Sequence, residues 1–337
     1  MNSEHSNSRF INREISWLSF NHRVLQEAAD PSNPLIRRIR FLGIHSNNRD
    51  EFFRIRVATV RRIAAFRDRK KLLGNKTPHE LLQEIQSIIV GQQQKFEQIY
   101  KDLLSAMREY NIHVVNETQL TEEQGQFVEK FYNERIRPIL VPIMLQYTRE
   151  FPYLRDEPIY FAVKLHKGDN PRKTRYALLD LATEILPRFV VLPKVGDNKY
   201  IIILDDIVRY CLNDIFSFFD YDKAEAYTIK ITRDAELDID DDISKSFMEK
   251  MSLSLEKRKS GQPVRFVYDA SMPEDLLNYF QKRMRLGRED NIISGGRYHN
   301  FKDFMGFPNI GPLHLENRTK PPVPPMYFEH HKSILEE

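Results

Sequence analysis

The residues best suited to chemistry lie in a short polar segment between two helix-like apolar patterns. The segment SNNRD (46–50) predicts a turn that ends one helix and begins the next. Asn48 and Glu51 have the spacing of a capping box, in which two side chains satisfy free backbone N–H groups at a helix start. Basic side chains surround this segment: Arg37, Arg38, Arg40, Arg49, Arg54, Arg56, Arg61 and Arg62. Because a helix N-terminus favours negative charge, the pattern predicts an anion site.

Arginines on the second of these helices have the spacing of a stripe. Arg54 and Arg61 lie seven residues apart on one helical face, and Arg62 and Arg69 lie on a neighbouring face. Arginine forks match phosphate geometry, so this stripe could line the path of a phosphate chain. The alternative is an ordinary solvated face. Its partners would be the acids nearby: Asp50, Glu51 and Asp68.

A second candidate segment, SGGRYHNFKDF (294–304), lies near the end of the chain. Its paired glycines could present backbone N–H groups to an anion, or they could form a turn that packs aromatic side chains. We expect Tyr298, Phe301 and Phe304 to pack against the rest of the protein. Arg297 and Lys302 remain candidates to face a polyanion. We expect the histidine between them to be structural.

Several common catalytic motifs are absent from the sequence. No phosphate loop of the form GxxxxGK[ST] occurs, and GNKT (74–77) has the wrong spacing to cradle phosphates. No GxSxG, HExxH or paired-cysteine motif supports a hydrolase or a zinc site. The acidic run DAELDIDDD (234–242) has no accompanying His or Cys, which favours a solvated surface segment over a metal site. A nucleotide site would therefore be built from scattered residues.

Three separated segments together resemble the bacterial polyphosphate kinase family. They are NREISWLSFNHRVLQEAADPSNPL (12–35), GIHSNNRDEFFRIRV (43–57) and SGGRYHNFKDF (294–304). The resemblance runs from about residue 10 to the last residue, and His45 and Arg49 are its less typical choices. It implies a helical N-terminal domain, a head domain, and two C-terminal domains similar to phospholipase D. We therefore expect residues 318–337 to be a linker and the start of a truncated C-terminal catalytic domain.

The resemblance also implies an activity, the synthesis of polyphosphate from ATP. In the family a histidine attacks the γ-phosphate of ATP and passes the phosphoryl group to the growing chain, which divides one difficult transfer into two easier steps. Positive groups and Mg²⁺ stabilise the moving phosphoryl group. That histidine and the metal-binding residues belong to the C-terminal domains. We therefore expect the 337-residue fragment to be inactive alone, with no catalytic residue and no metal ligand of its own.

Asn48 is the one substrate contact that the resemblance assigns to this chain. The family places the second asparagine of its SNN segment against the adenine of ATP, and Asn48 occupies that position. An asparagine amide offers both a donor and an acceptor to a base edge. Helix capping and adenine contact are compatible, because the side-chain oxygen and nitrogen can serve separate partners. The resemblance further implies a homodimer in which the helical domain of one chain meets the head of the other.

Composition describes a globular protein with room for two domains, since 41% of the 337 residues are hydrophobic and 29% are charged. A formal net charge of +3 is too small to require nucleic acid as a partner. Cys211 is the only cysteine and has an apolar setting, which predicts an inert thiol in a reducing compartment. Without a signal peptide or about 18 consecutive apolar residues, we expect a cytoplasmic protein, or one peripheral to a membrane, with no transmembrane segment.

Helical periodicity predicts an all-α N-terminal domain over residues 1–110. Trp17, Phe20, Val24, Leu25 and Ala28 have the spacing of one buried helical face. The segment TPHE (77–80) predicts a capped helix start. One long helix of roughly 30 residues follows, with a coiled-coil-like apolar seam that ends near residue 110. Such a helix can pack inside its own domain or against a partner chain.

Residues 111–317 predict a mixed α+β head domain. Short β-branched runs predict strands at 112–115, 138–145, 158–165, 175–181, 188–192, 200–204, 227–231 and 264–268. Helical stretches fall near 121–135, 205–219, 243–258 and 273–285. Because strands and helices do not alternate regularly, we expect largely antiparallel pairing between 138 and 204. The prolines of RTKPPVPPM (318–326) predict an extended linker.

Two other functional classes remain open at the level of sequence. The first is a non-catalytic module that binds nucleic acid or another polyanion. Aromatic platforms interleaved with Lys and Arg on strands would support nucleic-acid binding, but the predicted strands are mostly aliphatic. The second is a purely structural dimerisation unit.

Overall fold

The computed structural model describes residues 10–65, 76–156, 158–168, 174–233, 263–287 and 292–316. The helices in these ranges are α1 (Arg13–Ala29), α2 (Leu35–Glu51), α3 (Ala58–Ala65), α4 (Pro78–Arg108), α5 (Glu122–Phe131), α6 (Leu204–Tyr210), α7 (Leu212–Ile215) and α8 (Glu274–Met284). The strands are β1 (Ile112–Val115), β2 (Pro142–Met144), β3 (Tyr160–His166), β4 (Arg175–Asp180), β5 (Phe189–Val195), β6 (Asn198–Ile203), β7 (Lys223–Arg233), β8 (Pro263–Asp269) and β9 (Ile292–Gly295).

Shorter elements connect these helices and strands. Two π-helical segments span Phe52–Val57 and Tyr132–Ile136. Short 3₁₀ helices span Leu145–Tyr147, Phe301–Gly306 and Leu313–Leu315. Some predicted features lie outside the described residues: the helix at 243–258, the acidic run 234–242, the residues Asp68 and Arg69, and the proline-rich segment 318–326.

The predicted fold class, a helical N-terminal region followed by a mixed α+β head, is confirmed. The predicted inner face of α1 is only partly correct, because Phe20 is 59% exposed. The residues that α1 buries are Glu14, Leu18, Asn21, Leu25 and Ala28. Two of these five residues are polar, so the pattern of apolar residues alone does not identify the buried face of α1 correctly. No helix in the described ranges is long and apolar enough to cross a membrane.

The predicted turn at 46–50 is wrong. Helix α2 continues through these residues to Glu51, and the π-helical segment Phe52–Val57 joins it directly to α3. No helix begins at Asn48, so the capping box with Glu51 and the anion site at a helix N-terminus do not exist. The physical reason is tertiary: the Asn48 side chain bonds to α1, and Ser46 and Arg49 are buried, so these contacts override the local preference for a turn.

The predicted long helix is confirmed as α4, which has 31 residues. Thr77 accepts a hydrogen bond from the Glu80 backbone N–H at 3.3 Å, and the Glu80 carboxylate accepts one from the Thr77 backbone at 2.7 Å. The apolar seam packs inside the chain against α1, α2 and α3. Ile85, Ile89 and Phe96 on this seam are each at most 2% exposed.

The head contains two sheets. The larger has the strand order β2-β4-β3-β7-β8-β9, and the smaller has the order β1-β6-β5. Pairing is antiparallel between β2 and β4, β3 and β4, and β5 and β6, which confirms the expectation for residues 138–204. Two parallel pairs, β1 with β6 and β8 with β9, join segments that are distant in the chain. Strand β9 was not predicted.

At β7 and β8 both faces of the larger sheet are covered, but by different chemistry. Alternate residues of β7 and β8, such as Ile229, Ile231 and Phe266, enter an apolar core with α8. The residues between them are polar and also buried, at 7% exposure or less: Thr228, Lys230, Thr232 and Arg265. This polar face lies beneath the helical region, because the π-helical segment contacts both β7 and β8.

A shared apolar core also joins the helical region to the head. Residues of α2 and α4 cluster with the aromatic side chains of the second candidate segment, among them Phe301 and Phe304, as expected. The closest approach is at Gly43 of α2. A Cβ atom at this position would lie 2.5 Å from the backbone nitrogen of Met305 and 2.9 Å from the carbonyl carbon of Phe304.

The close approach at Gly43 predicts opposite effects for two glycine-to-alanine substitutions in helices. Gly43→Ala should lower the free energy of unfolding by about 1–3 kcal/mol, because backbone must move to admit the methyl group. Gly91→Ala in α4 should raise it by about 0.5–1 kcal/mol, because its Cβ would meet nothing within 4 Å and alanine favours helix. Urea unfolding measures both changes in free energy, and equal stabilisation by both substitutions would contradict the close approach at Gly43.

Candidate functional site

Buried charges meet where the end of α2 lies on the polar face of β7 and β8. The Asp50 carboxylate accepts a hydrogen bond from Lys230 Nζ at 2.5 Å and one from Arg265 at 3.1 Å. Lys230 Nζ also donates to Asn300 Oδ1 at 2.7 Å. The side chains of Lys230 and Arg265 are 7% and 5% exposed, and that of Asp50 is 18% exposed. These ion pairs connect the helical region to the head.

Burial and charge oppose each other at this cluster. Burial by itself would raise the pKa of Asp50, but Lys230 and Arg265 outweigh it and hold the pKa below its ordinary value. Burial lowers the pKa of Lys230 and that of Arg265, and Asp50 opposes both shifts. The opposite charges of the cluster therefore offset part of the cost of burying each group.

The two residues that are less typical of the family lie beside this cluster. Arg49 is 6% exposed, donates to Gln93 Oε1 at 2.5 Å and lies over the Phe96 ring. Burial and the neighbouring Arg265 lower its pKa to about 9. Burial also lowers the pKa of His45, which is fully enclosed, to about 3, so its ring is neutral. A cavity of about 40 Å³ opens here, which is large enough for ordered water.

Asn48 belongs to a short relay of amides between α1 and α2. Asn21 Nδ2 donates to the backbone oxygen of His45 at 3.1 Å, and Asn48 Nδ2 donates to Asn21 Oδ1 at 3.1 Å. A backbone oxygen can only accept, so it orients the Asn21 amide, which in turn orients that of Asn48. Asn48 Oδ1 therefore faces away from Asn21, and no donor from the described part of the chain reaches it. The side chain is half-buried.

The two arginines of the predicted stripe contact the head. Arg54 pairs with Glu51 at 3.0 Å and with Asp156 at 3.5 Å. Arg61 donates to the backbone oxygens of Pro263 and Val264, both at 3.0 Å. The contact between Arg54 and Glu51 is the kind expected of a solvated face, whereas the contacts to the head were not expected. A role for either arginine toward a polyanion stays a prediction.

The other candidates lie in or beside a second buried ionic network. Arg297 pairs with Asp206 at 3.0 Å and with Glu117 at 2.5 Å, and these carboxylates raise its pKa against the effect of burial. Lys302 is half-buried, and its charge helps to lower the pKa of Lys230. Neither residue's role toward a polyanion is tested by these contacts.

Two groups that invite a catalytic interpretation are buried. His299 is 5% exposed, its Nε2 lies 3.0 Å from the Gly296 oxygen, and burial lowers its pKa to about 3. Burial raises the pKa of Cys211 to about 12, so the thiol is protonated at neutral pH and inert, as expected. Among the described residues, no group of three or more His, Cys, Asp or Glu is arranged to hold a metal ion.

Sequence reasoning missed the ionic cluster itself. Asp50 was noticed only as a partner for arginines, and Lys230 and Arg265 were passed over inside apolar strands. The available signal was a charged residue inside each of two otherwise mostly apolar runs, YTIKI (227–231) and VRFVY (264–268). In a half-exposed sheet such residues face water, and only the position of α2 shows that here they are buried.

The cluster predicts a large effect for Asp50→Asn and a small one for its neighbour. Removing the carboxylate leaves Lys230 and Arg265 buried without an anion, which should cost about 2–4 kcal/mol of unfolding free energy. Glu51→Gln, which loses a pair whose carboxylate is 49% exposed, should cost less than about 0.5 kcal/mol. Equal costs would show that Asp50 is no more important than a surface charge.

The native protein and Asp50→Asn also give a test of pH dependence. Because the folded pKa of Asp50 lies below its ordinary value of 3.8, its contribution is complete above that value and disappears as the pH falls through the folded pKa. The stability difference between the native protein and Asp50→Asn should therefore narrow below about pH 4. Thermal unfolding at a series of pH values measures it, and a difference that widens in acid would contradict the sign of the shift.

Comparison with known proteins gives consistent results along the chain. The family model described as polyphosphate kinase N-terminal domain matches residues 10–115, and the model described as polyphosphate kinase middle domain matches residues 123–307. The polyphosphate kinase of Vibrio cholerae is 46% identical over 325 residues, and that of Escherichia coli K12 is 43% identical over 324 residues. Each alignment covers 95% of this chain and 46% of the relative.

A solved structure agrees with the sequence matches. The crystal structure of polyphosphate kinase from Porphyromonas gingivalis superposes with a TM-score of 0.77 at 30% identity, covering 98% of this chain and 46% of that chain. The chain thus spans about half the length of the curated relatives it matches. The two matched family models, the curated relatives and the superposition all show that this chain belongs to the polyphosphate kinase family.

Proposed function

We propose that this chain is the N-terminal part of a polyphosphate kinase, which transfers the γ-phosphate of ATP to a growing polyphosphate chain through a phosphohistidine. The observation that carries the proposal is the extent of the family match, which includes both the helical region and the head. The phosphohistidine and the Mg²⁺ ligands are assigned to domains beyond the matched ranges. This chain would contribute a contact to adenine and an assembly surface.

The geometry of Asn48 supports a contact to the base. Its Nδ2 is held by Asn21, so Oδ1 remains as an acceptor, and the adenine amino group is a donor of the matching kind. The position is also well fixed, since Asp50 is only two residues farther along the same helix and is held by Lys230 and Arg265. A preorganised acceptor loses little conformational freedom when a ligand binds.

The remaining features of the proposal concern partners and location. ATP and polyphosphate are the proposed substrates, and the full-length enzyme is proposed to be a cytoplasmic homodimer, or one peripheral to a membrane. The helical region of one chain would meet the head of the other. Nucleic acid is not a proposed partner.

The proposal predicts that activity requires more than these 337 residues. With ATP and Mg²⁺, the full-length enzyme should form an acid-labile phosphohistidine and accumulate polyphosphate. The 337-residue polypeptide should do neither at the same concentration. Labelling with γ-³²P-ATP, followed by gel analysis of protein and polymer, measures both. Polymer from the short polypeptide, or none from the full-length enzyme, would contradict the proposal.

A second prediction concerns the contact between Asn48 and adenine. Asn48→Asp is unsuitable, because a carboxylate oxygen would face Asn21 Oδ1 in the relay and disturb the fold. Asn48→Ala in the full-length enzyme should raise the KM for ATP by about five- to a hundredfold, as expected for one lost hydrogen bond of roughly 1–3 kcal/mol. Asn47→Ala is the matched control, since its half-buried side chain makes no hydrogen bond in the described structure.

Inorganic triphosphate separates contact with the base from general damage. It has the phosphates of ATP but no adenine, so its inhibition constant should be the same in the native enzyme and in Asn48→Ala. If Asn48→Ala weakened triphosphate and ATP equally, or left the KM for ATP unchanged in a folded enzyme, Asn48 would not contact adenine.

A further inference from the structure

A basic cleft lies on the head, where β7 ends, β8 begins and α8 ends. Its volume is about 830 Å³, which lies within the range of ligand-binding clefts. Five basic side chains and one acidic side chain line it: Arg149, Arg233, Lys282, Arg283 and Arg285, with Glu150. The lining is therefore strongly positive, although the whole chain has a formal charge of only +3.

Two of these cations are held in place by the fold. Arg233 Nε donates to the Leu154 backbone oxygen at 2.9 Å, and its guanidinium lies 4.5 Å from the centre of the Tyr153 ring. Arg283 donates to the Thr148 backbone oxygen at 2.9 Å. A backbone oxygen carries no net charge, so these bonds fix the two guanidinium groups without neutralising them, and the Asp156 carboxylate also acts on Arg233. They form a rigid part of its wall.

The other three cations are available to a ligand. Arg149, Lys282 and Arg285 are exposed, and their side chains make no hydrogen bond or ion pair with the described residues of the chain. Arg285 ends α8 with a φ of 56°, a left-handed conformation that arginine rarely adopts. The cleft therefore combines a fixed positive wall with three cations that can adjust to an anion.

The predicted arginine stripe of the helical region reaches the edge of this cleft. Arg61 donates to the backbone oxygen of Pro263, which itself lines the cleft. Arg54 lies 3.5 Å from Asp156, and Asp156 is within electrostatic range of Arg233 as well. The helical region thus reaches the cleft through the contact between Arg61 and Pro263.

The aromatic residues of the cleft argue against a ligand with bases. Tyr153 already has Arg233 over its ring, Tyr279 packs on Tyr176 with ring centres 4.5 Å apart, and Phe151 meets Phe280 edge-on at 5.5 Å. Single-stranded nucleic acid is bound mainly by stacking bases on free aromatic faces. A polyanion that has phosphates and no bases suits this cleft better.

We propose that this cleft binds inorganic polyphosphate, as a site distinct from the one at which Asn48 contacts the nucleotide. This inference rests on the proposed function, which makes polyphosphate the product of the enzyme. A site of this kind would hold the chain at a distance from the transfer reaction. It would raise affinity for long chains more than for short ones, because a long chain can occupy the cleft and the site of phosphoryl transfer at once.

The test removes the three available cations together. In the full-length enzyme, Arg149→Gln, Lys282→Gln and Arg285→Gln should weaken binding of end-labelled long-chain polyphosphate by roughly tenfold or more at moderate salt. The slope of log affinity against log salt should fall by about 2, since each of the three lost contacts contributes about 0.7 on a single-stranded polyanion. The matched control is Lys101→Gln, Arg108→Gln and Lys194→Gln, which removes three exposed cations that do not line the cleft. Thermal unfolding verifies that both variants fold.

The outcomes separate this inference from the proposed function. Loss of polyphosphate affinity in the cleft variant alone, with an unchanged KM for ATP, supports the site. Equal losses in both variants, or no loss in either, would overturn it. Binding of oligo(dT) as tight as that of polyphosphate with the same number of charges would also overturn it, in favour of nucleic acid. If the native enzyme made no polyphosphate from ATP, the proposed function would fail, whatever the cleft variant bound.

Discussion

The position of the helical region on the head depends on one buried carboxylate. Asp50 projects from α2 between cations supplied by β7 and β8. Removing such charges from water costs nearly as much as their attraction returns, so the cluster adds little net stability relative to an apolar contact. Its effect is selective, because a displaced α2 would leave Lys230 and Arg265 buried and unpaired. The cluster therefore favours this position of α2 on the head over displaced positions.

The π-helical segment that follows serves the same arrangement. Its wider turn allows two consecutive aromatic side chains to be buried on different sides, at 2% exposure for Phe52 and 1% for Phe53. The Phe52 ring stacks on Trp17 of α1 with centres 4.5 Å apart, whereas Arg265 of the head lies over the Phe53 ring at 4.7 Å. An ordinary helix ending at residue 46 would provide neither contact. The segment begins at Phe52, directly after the end of α2 at Glu51.

Features governed by neighbouring residues could be predicted from the sequence. The capped start of α4 depends on Thr77 and Glu80, and β1 was identified at its observed ends, Ile112 and Val115. Features governed by distant residues could not. The turn at 46–50 fails because Asn21, far back in the chain, bonds to Asn48. Strand β9 was missed because its parallel pairing with β8 is a tertiary contact.

The arginines near residues 37–62 show most clearly that contacts with distant residues could not be predicted from the sequence. Their density around residues 37–62 suggested an anion site, yet the fold commits several of them to backbone oxygens. Arg38 donates to Ala28, Arg40 to Phe307 and Arg61 to Pro263. Each such bond holds two segments together and fixes the position of the guanidinium within the fold. Charge density along a sequence therefore indicates where cations are, and their partners in the fold decide which ones a ligand can reach.

The basic cleft on the head lies away from the segment that the sequence emphasised. Arg149 and Lys282 are far apart in the chain and carry no common motif, so no spacing rule could have grouped them. The fold brings them together because α8 packs on the larger sheet through Leu276 and Phe280. The apolar core thus creates the basic cleft by placing the end of one helix beside the loop that follows β2, while Arg61 of α3 connects the helical region to its edge.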